Sequence, residues 1–208
     1  MAAFITFEGG EGSGKSVQAR LLYRRLLKES VTAVLTREPG GTRLGEAVTR
    51  WLKWHHENRI SATTELLLFN ASRSHLVNEV IKPALALGTV VICDRFGDST
   101  LAYQGYGRGL DIKTIEGVNR LATDGLKPDL TFLLDIPAVE GLRRKAGSKT
   151  DRFEKEAAAF HERVRRGYLA LAHAEPARWY ILDARRSKKE LAAVIWEKVS
   201  HIAGCQGR

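Results

Sequence analysis

The chain has 208 residues, of which 44% are hydrophobic and 27% charged, and its formal net charge is +9. This length suits one α/β domain with a substantial core, and the composition is that of a soluble globular protein. No apolar run is long enough to span a bilayer, and the first residues lack the pattern of a secretory signal. With Cys93 and Cys205 as the only cysteines, no disulfide framework is expected, so we expect a cytoplasmic protein.

Along the chain, apolar runs alternate with helical patterns, which indicates βαβ units and a parallel sheet. The predicted strands are Ala3 to Glu8, Thr32 to Thr36, Thr89 to Asp94, Leu130 to Asp135 and Trp179 to Asp183. The predicted helices are Lys15 to Lys28, Thr42 to His56, Thr63 to Leu87, Ile112 to Thr123, Ala138 to Lys145, Phe153 to His173 and Lys188 to Ile202. No repeat or linker divides the chain. We therefore predict a single domain, 1–208, whose five-stranded parallel sheet keeps the second strand away from the first.

The first predicted strand runs directly into a phosphate-binding loop that matches the P-loop pattern G-x-x-x-x-G-K-[ST]. The loop consists of Gly9, Gly10, Glu11, Gly12, Ser13, Gly14, Lys15 and Ser16. Its glycines let successive backbone N–H groups point at one anion, and the next helix directs its positive end to the same place. Lys15 is predicted to reach the outer phosphates of ATP, and the Ser16 hydroxyl to ligate Mg²⁺.

The third predicted strand ends in Asp94, and Arg95 follows it, at the strand end where α/β proteins bind ligands. In P-loop proteins such an aspartate lies across from the loop serine and helps to hold hydrated Mg²⁺. A guanidinium there suits bidentate recognition of a phosphate. Alternatively, Asp94 could have a purely structural role as the cap of the following helix. We favour a metal site made by Ser16 and Asp94, with Arg95 on a phosphate.

Three further segments carry weaker signals. The small polar residues and tyrosine in 96–105 suggest a small-molecule pocket, although a helix N-terminus would look similar. The Arg37 and Glu38 pair stands before a Pro-Gly turn, where either residue could be structural or functional. Phe69 and Arg73 lie four residues apart on one helix face. They could stack on a base and bond its edge, or be a core ring and an exposed cation.

Other chemistries lack their motifs. The six histidines form no metal-ligand spacing, and no G-x-S-x-G, N-K-x-D or H-R-D motif is present. The basic cluster 143–145 is interpreted as facing phosphates, and the cluster 185–189 as a solvated helix start. Few aromatic residues accompany these clusters, so no stacking platform for single-stranded nucleic acid is expected. Residues 145–151 are predicted to form a flexible tip between two helices.

Taken together, the chain closely resembles the thymidylate kinase family over nearly its whole length. The P-loop is generic, whereas the combination of the Arg37 to Thr42 turn with Asp94-Arg95-Phe96 and Tyr103-Gln104 is specific to this family. The resemblance implies a P-loop NTPase fold of three α/β/α layers, with a short helical lid at about 141–153. It also implies transfer of the ATP γ-phosphoryl group to dTMP for dTTP biosynthesis, with Mg²⁺ as cofactor. A homodimer is implied as well, with neither membrane nor nucleic acid as a partner.

The resemblance assigns roles to single residues. It places Glu11 on the deoxyribose 3′-hydroxyl, Phe69 on the thymine ring, Arg73 on thymine O4, Thr100 at N3, Tyr103 against the 2′ position and Arg95 on the dTMP phosphate. The full set of implied dTMP-binding residues is Glu11, Arg37, Phe69, Arg73, Arg95, Ser99, Thr100, Tyr103 and Gln104. The implied catalytic residues are Lys15, Arg95, Arg143, Lys149 and Arg152.

One position departs from part of the family. Some members carry a basic residue inside the P-loop, where this chain has Gly12. Members without it have basic residues in the lid instead, and this lid is rich in them: Arg143, Arg144, Lys145, Lys149 and Arg152. The chain therefore resembles the bacterial type with a basic lid.

Two alternative functions are also compatible with the sequence. The first is a deoxynucleoside kinase, which would need a carboxylate base at the end of the first strand, and Glu8 stands there. Arg95, placed for an acceptor phosphate, argues against it. The second alternative is a non-catalytic P-loop module that uses its net charge to bind nucleic acid.

Overall fold

The computed structural model describes residues 2–54, 60–145 and 151–202. Its sheet contains β1 (Ala3–Glu8), β2 (Ala33–Arg37), β3 (Val90–Asp94), β4 (Leu130–Asp135) and β5 (Trp179–Asp183). The strand order is β2-β3-β1-β4-β5, and every pairing is parallel. The predicted five-stranded parallel sheet is confirmed, and β3 does separate β2 from β1.

The register of the central strands sets the position of the site. Phe7 on β1 pairs with Asp94 on β3, and Asp94 pairs on its other side with Arg37 on β2. The carboxyl ends of three strands therefore meet at one edge, where α/β sheets bind ligands. The loop after β1, the turn after β2 and the segment after β3 all leave the sheet at this edge.

Nine α-helices surround the sheet in the described part of the chain. They are α1 (Lys15–Lys28), α2 (Arg43–Trp54), α3 (Ala62–Leu76), α4 (Lys82–Ala86), α5 (Gly97–Thr100), α6 (Ile112–Thr123), α7 (Ala138–Lys145), α8 (Ala158–Ala174) and α9 (Lys188–Ile202). Side chains cap several of them, as when the Thr64 N–H donates to Ser61 Oγ and the Thr114 N–H to an Asp111 carboxylate oxygen. Among the described residues, no helix has the length and apolarity to cross a membrane.

Two helical segments have wider, π-helical turns that the sequence pattern did not predict. Val77–Ile81 joins α3 to α4, so the helix predicted from Thr63 to Leu87 follows one path with a change of winding in its middle. Leu101–Gly107 continues from α5 and carries Tyr103 and Gln104. Such turns are frequent at functional sites, because they re-aim side chains without ending the helix.

The helix predicted to begin at Phe153 begins instead at Ala158. The cause is local, since the Asp151 carboxylate accepts hydrogen bonds from the N–H groups of Phe153 and Glu154 and holds a turn there. The other boundaries that can be compared agree within two residues. His55, His56, the 146–150 part of the predicted tip and Cys205 lie outside the described residues.

Alternate residues of β1 face opposite sides of the sheet, and each side has its own core. Ile5 and Phe7 pack with α1 and α9 on one side. Phe4 packs with the α3 to α4 path on the other side, where Cys93 is a buried free thiol. A further cluster joins α8 to the π-helical segment Leu101–Gly107 through Tyr103. Helices thus cover both faces and give the three-layer α/β/α architecture of P-loop NTPases.

Candidate active site

The P-loop folds as its glycines allow. Gly14 adopts the left-handed conformation with φ 92°, and the Ser13 hydroxyl donates to the Gly10 carbonyl at 2.9 Å. The Lys15 ammonium donates to the same carbonyl at 2.6 Å and to Ser13 Oγ at 3.2 Å. Burial and nearby Arg95 lower the pKa of Lys15 to about 8, against the pull of surrounding carboxylates. The ammonium is therefore enclosed by the loop and close to where phosphates would sit.

Gly12 lies against the N-terminal half of α7. Its φ is +68°, and a Cβ at this position would collide with the backbone carbonyl of Gly141. In turn, a Cβ on Gly141 would collide with the Glu11 carbonyl. Two glycines thus let α7 rest on the P-loop backbone, which gives a steric reason for the absence of a basic side chain at position 12.

Ser16 and Asp94 meet at the mouth of the P-loop. The Ser16 hydroxyl donates to Asp94 Oδ2 across the junction of α1 and β3. A hydroxyl and a carboxylate beside a phosphate site are the donor set of Mg²⁺ in P-loop proteins, where phosphates and waters complete the coordination. Within the described residues, no group of three or more His, Cys, Asp or Glu could hold a metal. Ser16 and Asp94 therefore suit a Mg²⁺ ion that bound phosphates would also coordinate.

A pocket of about 520 Å³, a volume that includes its open mouth, adjoins the P-loop. It contains eight of the nine residues implied for dTMP binding. Its lining residues are Glu11, Glu38, Pro39, Phe69, Arg73, Arg95, Ser99, Thr100, Tyr103, Gln104, Asp151 and Phe153. The mixture of rings with a few charged groups is that of a small-molecule site. We call it the acceptor pocket, and we call the neighbouring cleft lined by Lys15, Ser16 and Asp94 the P-loop groove.

Arg95 lines both the acceptor pocket and the P-loop groove. Its backbone has a positive φ of 71°, a conformation that a non-glycine residue adopts at a cost. One terminal nitrogen donates to the Gly9 carbonyl, Ser99 Oγ and Tyr168 Oη, and the other donates to Glu11 and Tyr103. The strained backbone and these contacts aim one guanidinium at the boundary between the two clefts.

Glu11 accepts from Arg95 at 2.7 Å and from the Tyr103 hydroxyl at 2.8 Å. Burial alone would raise the pKa of Glu11, but Arg95, Lys15 and Lys145 outweigh burial and hold that pKa well below its usual range. An ionised carboxylate beside the acceptor pocket is an acceptor for a hydroxyl group.

Arg73 has a hydrogen-bond partner for each direction of its guanidinium. It donates to Glu38 at 2.8 Å, to Asn119 at 2.7 Å and to Thr100 at 2.8 Å, with weaker bonds to Asn70 and to the Phe96 carbonyl. Its side chain is only 2% exposed, so the exposed-cation interpretation of the Phe69 and Arg73 pair is wrong. Burial raises the pKa of Glu38, although Arg73 opposes this.

Aromatic rings form the walls of the acceptor pocket. The Phe69 and Phe153 ring centroids are 5.7 Å apart, and those of Tyr103 and Phe153 are 6.2 Å apart. Phe69 is half-buried, with its ring at the pocket surface. A planar base could therefore stack on the part of the Phe69 ring that faces the pocket.

A thymidylate kinase family model matches residues 7–195. A thymidylate kinase of Dehalococcoides mccartyi is 54% identical over 206 residues, covering 99% of both chains, and one of a Synechococcus species is 54% identical over 94% of both. The crystal structure of thymidylate kinase from Ehrlichia chaffeensis aligns with a TM-score of 0.76 at 37% identity, covering 95% of this chain and 98% of the other. The chain belongs to the thymidylate kinase family.

In this thymidylate kinase family member, the basic residues of the segment predicted to form a lid take different places. Arg144 and Lys145 line the P-loop groove, whereas Arg143 is not among its lining residues. Lys145 pairs with Glu154 and lies 3.6 Å from Glu11. Arg152 points instead to Glu65 and to the Leu52 carbonyl. Lys149 lies outside the described residues.

Arg37 is the one implied dTMP-binding residue outside the acceptor pocket. It lines the P-loop groove, pairs with both oxygens of Glu46 and has 60% of its side chain exposed. Glu38 and Pro39, which follow it in the chain, line both the P-loop groove and the acceptor pocket. The turn after β2 therefore lies at the boundary of the two clefts.

Sequence reasoning missed Tyr168 on α8. Its hydroxyl bonds Arg95, Ser99 and Glu8, so it fixes three groups beneath the acceptor pocket. No local motif marks it, because α8 reaches the site only through the fold. Glu65 was likewise assigned no role, although its carboxylate is 1% exposed among charged partners.

Proposed function

We propose that the chain transfers the γ-phosphoryl group of ATP to dTMP, giving ADP and dTDP for dTTP biosynthesis. The observation that carries this proposal is the shared guanidinium: Arg95 lines both the P-loop groove and the adjoining acceptor pocket. An acceptor phosphate held there would face the outer phosphate of a nucleotide in the P-loop. Family membership supports the same reaction.

On the donor side, the P-loop N–H groups and Lys15 would bind the ATP phosphates, with Lys15 exchanging its contacts to Gly10 and Ser13 for phosphate oxygens. Arg144 and Lys145 would add positive charge from the lid side. Ser16 and Asp94 would hold Mg²⁺, which supplies neutralisation of phosphate charge when bound. The γ-phosphate would thereby be oriented toward the acceptor pocket.

On the acceptor side, Phe69 would stack on thymine, and Arg73 and Thr100 would face its edge. Arg73 already has partners on all sides, so a base carbonyl would share or replace one of them. Glu11 would accept from the 3′-hydroxyl, and Tyr103 would occupy the space of a 2′-hydroxyl. Ser99 and Gln104 complete the polar lining.

The chemistry itself needs little acid–base help, because a dTMP phosphate oxygen is already ionised at neutral pH. In-line transfer then depends on positioning and on stabilising the charge of the transferred group. Arg95 would hold the attacking phosphate, while Lys15 and the lid cations balance the charge on the moving group. A lid over the site would also exclude water and limit ATP hydrolysis.

The deoxynucleoside kinase alternative is weakened by the placement of Glu8. Its carboxylate is buried and accepts from the Phe96 N–H, Ser99 Oγ and Tyr168 Oη, and it is not among the residues that line the acceptor pocket. Burial and Asp98 raise its pKa to about 7. Glu8 thus supports Ser99 and Tyr168 rather than facing a sugar hydroxyl.

Three features complete the proposal: a homodimer, a cytoplasmic location and a lid formed by about 141–153. Exposed leucines on adjacent helices, Leu67 on α3 and Leu121 on α6, offer an apolar surface for a second copy. Sedimentation that shows only monomer at micromolar concentration would contradict the dimer.

The test of the function is ADP release measured with ATP, Mg²⁺ and one acceptor at a time. We expect rapid release with dTMP, slow release without an acceptor and no stimulation by thymidine. Stimulation by thymidine alone would establish the deoxynucleoside kinase alternative. Salt-dependent DNA binding without any acceptor-dependent release would favour the nucleic-acid module.

A further inference from the structure

Glu65 on α3 joins groups from several parts of the fold. Its carboxylate is 1% exposed. It accepts from Gln104 at 3.3 Å, from two nitrogens of Arg108 at 3.1 and 3.2 Å, and from Arg152. Gln104 lines the acceptor pocket, whereas Arg152 belongs to the segment that follows α7 in the chain. One buried charge therefore connects the pocket to that segment.

The segment 151–156 is attached to its surroundings at several further points. Arg152 also donates to the Leu52 carbonyl at 3.1 Å, and its guanidinium lies 4.9 Å from the Phe153 ring centroid. Glu156 pairs with Arg108 at 2.6 Å. Phe153 forms a wall of the acceptor pocket against Phe69. The segment is thus part of the pocket and is held in place by charged contacts.

The same segment reaches the P-loop groove. Glu154 pairs with Lys145, and Lys145 lies 3.6 Å from Glu11 at the boundary of the two clefts. A continuous set of contacts therefore runs from Glu65 through Arg152 and the 151–154 turn to a cation of the groove. Because each link is a hydrogen bond or ion pair in a largely buried region, displacing one end costs free energy at the next.

We propose that Glu65 is a positioning residue, which fixes the segment 151–156 as the lid-side wall of the acceptor pocket and so couples dTMP binding to the placement of Lys145. This role rests on the proposed function. Arg152 acts in it as a structural tie rather than as a cation on the transferred phosphoryl group. Glu65 is not among the residues that line the P-loop groove.

Glu65→Gln keeps the shape of the side chain and removes its charge, leaving Arg108 with Glu156 and Arg152 without its carboxylate. We expect the KM for dTMP to rise about tenfold, since the hydrogen bonds to a charged carboxylate that hold the pocket wall are weakened. The KM for ATP should change by less than about twofold, because the P-loop is untouched. The ratio of dTMP-dependent to dTMP-independent ADP release should fall, because the groove cation is less well placed.

Glu29→Gln is the matched control, since Glu29 also pairs with an arginine but on the exposed end of α1, and it should leave these constants unchanged. Arg152→Met removes the lid-side partner alone. The double variant with Glu65→Gln should weaken dTMP binding by less than the sum of the two single effects, as expected for residues in one network. Thermal unfolding of each variant separates a loss of fold from a loss of coupling.

A selective rise in the KM for dTMP with a non-additive double variant supports the role. Equal losses for ATP and dTMP, or additive effects, overturn it, as does a Glu65→Gln variant that matches the control. If Glu65→Gln does not fold, the test uses Arg152→Met alone. A KM for dTMP in Arg152→Met that equals the wild-type value then overturns the role. A wild type without dTMP-dependent ADP release contradicts the proposed function itself, which is a different result.

Discussion

In the P-loop groove, Lys15 is held by one backbone carbonyl and one hydroxyl, whereas in the acceptor pocket Arg73 makes five hydrogen bonds to neighbouring protein groups. The groove therefore has a cation with few contacts to lose when phosphates arrive. The pocket holds its polar groups in fixed positions before any ligand binds. Fixed groups favour selection among acceptors, since an acceptor of the wrong shape cannot match their positions.

The largest effect is expected in the groove. Lys15→Ala should lower kcat by about 10²–10³-fold, the range found when one group that stabilises transition-state charge is removed. The unfolding temperature should change little, because Lys15 has few contacts to lose. Steady-state kinetics together with thermal unfolding measure both. Turnover near that of the wild type would show that the groove is not the donor site.

In the acceptor pocket, Arg73→Ala should weaken dTMP binding by about 1–3 kcal/mol while leaving ATP binding nearly unchanged. It should also lower the unfolding temperature, because Glu38 would remain buried without its cation. Arg73→Lys is the control, since it keeps a charge beside Glu38 but loses the planar fork. Titration calorimetry with each nucleotide distinguishes the cases, and equal weakening of both would indicate a purely structural arginine.

The contrast between the two regions also explains how far the sequence could predict them. The P-loop, Asp94 and Arg95 are contiguous or adjoin strand ends, so local pattern predicted the groove. Of the strand order, only the separation of the second strand from the first was predicted. The partners of Arg73 come from four separate segments, and Tyr168 from a fifth, so only the fold brings them together. The turn at Asp151 was missed because a single side-chain cap leaves no signal in the hydrophobic periodicity. The π-helical segments were missed because a local change of winding leaves none either.

Tyr103 tests whether the fixed pocket excludes a ribose. Its ring covers Arg95 at 5.0 Å and its hydroxyl donates to Glu11. Tyr103→Phe should keep most of the preference for deoxyribose, because the exclusion is steric, while Tyr103→Ala should lose about tenfold of it and some dTMP affinity. The measurement is kcat/KM for deoxy- and ribothymidine monophosphate. An unchanged ratio in Tyr103→Ala would assign the preference to Glu11 or another group.

The effect expected beneath the pocket is on stability alone. The folded-state pKa of Glu8 is raised from 4.5 to about 7, so the folded protein binds its proton more tightly than the unfolded chain. The free energy of unfolding should therefore fall as pH rises from about 4.5 to 7, by roughly 3 kcal/mol at most from this group. Denaturant titrations of the wild type and of Glu8→Gln at several pH values isolate this contribution, because it is the part of the difference in unfolding free energy that changes with pH. A difference that does not vary with pH would place the Glu8 pKa near its ordinary value.

The central claim is that one guanidinium at the boundary of the two clefts presents a thymidine monophosphate to the ATP γ-phosphate. The most direct test incubates the protein with ATP, Mg²⁺ and each common nucleoside monophosphate, and identifies the products by chromatography. We expect dTDP and ADP in equal amounts, formed with dTMP far faster than with the other monophosphates. ADP that accumulates at the same rate with every acceptor, or with none, would contradict the account.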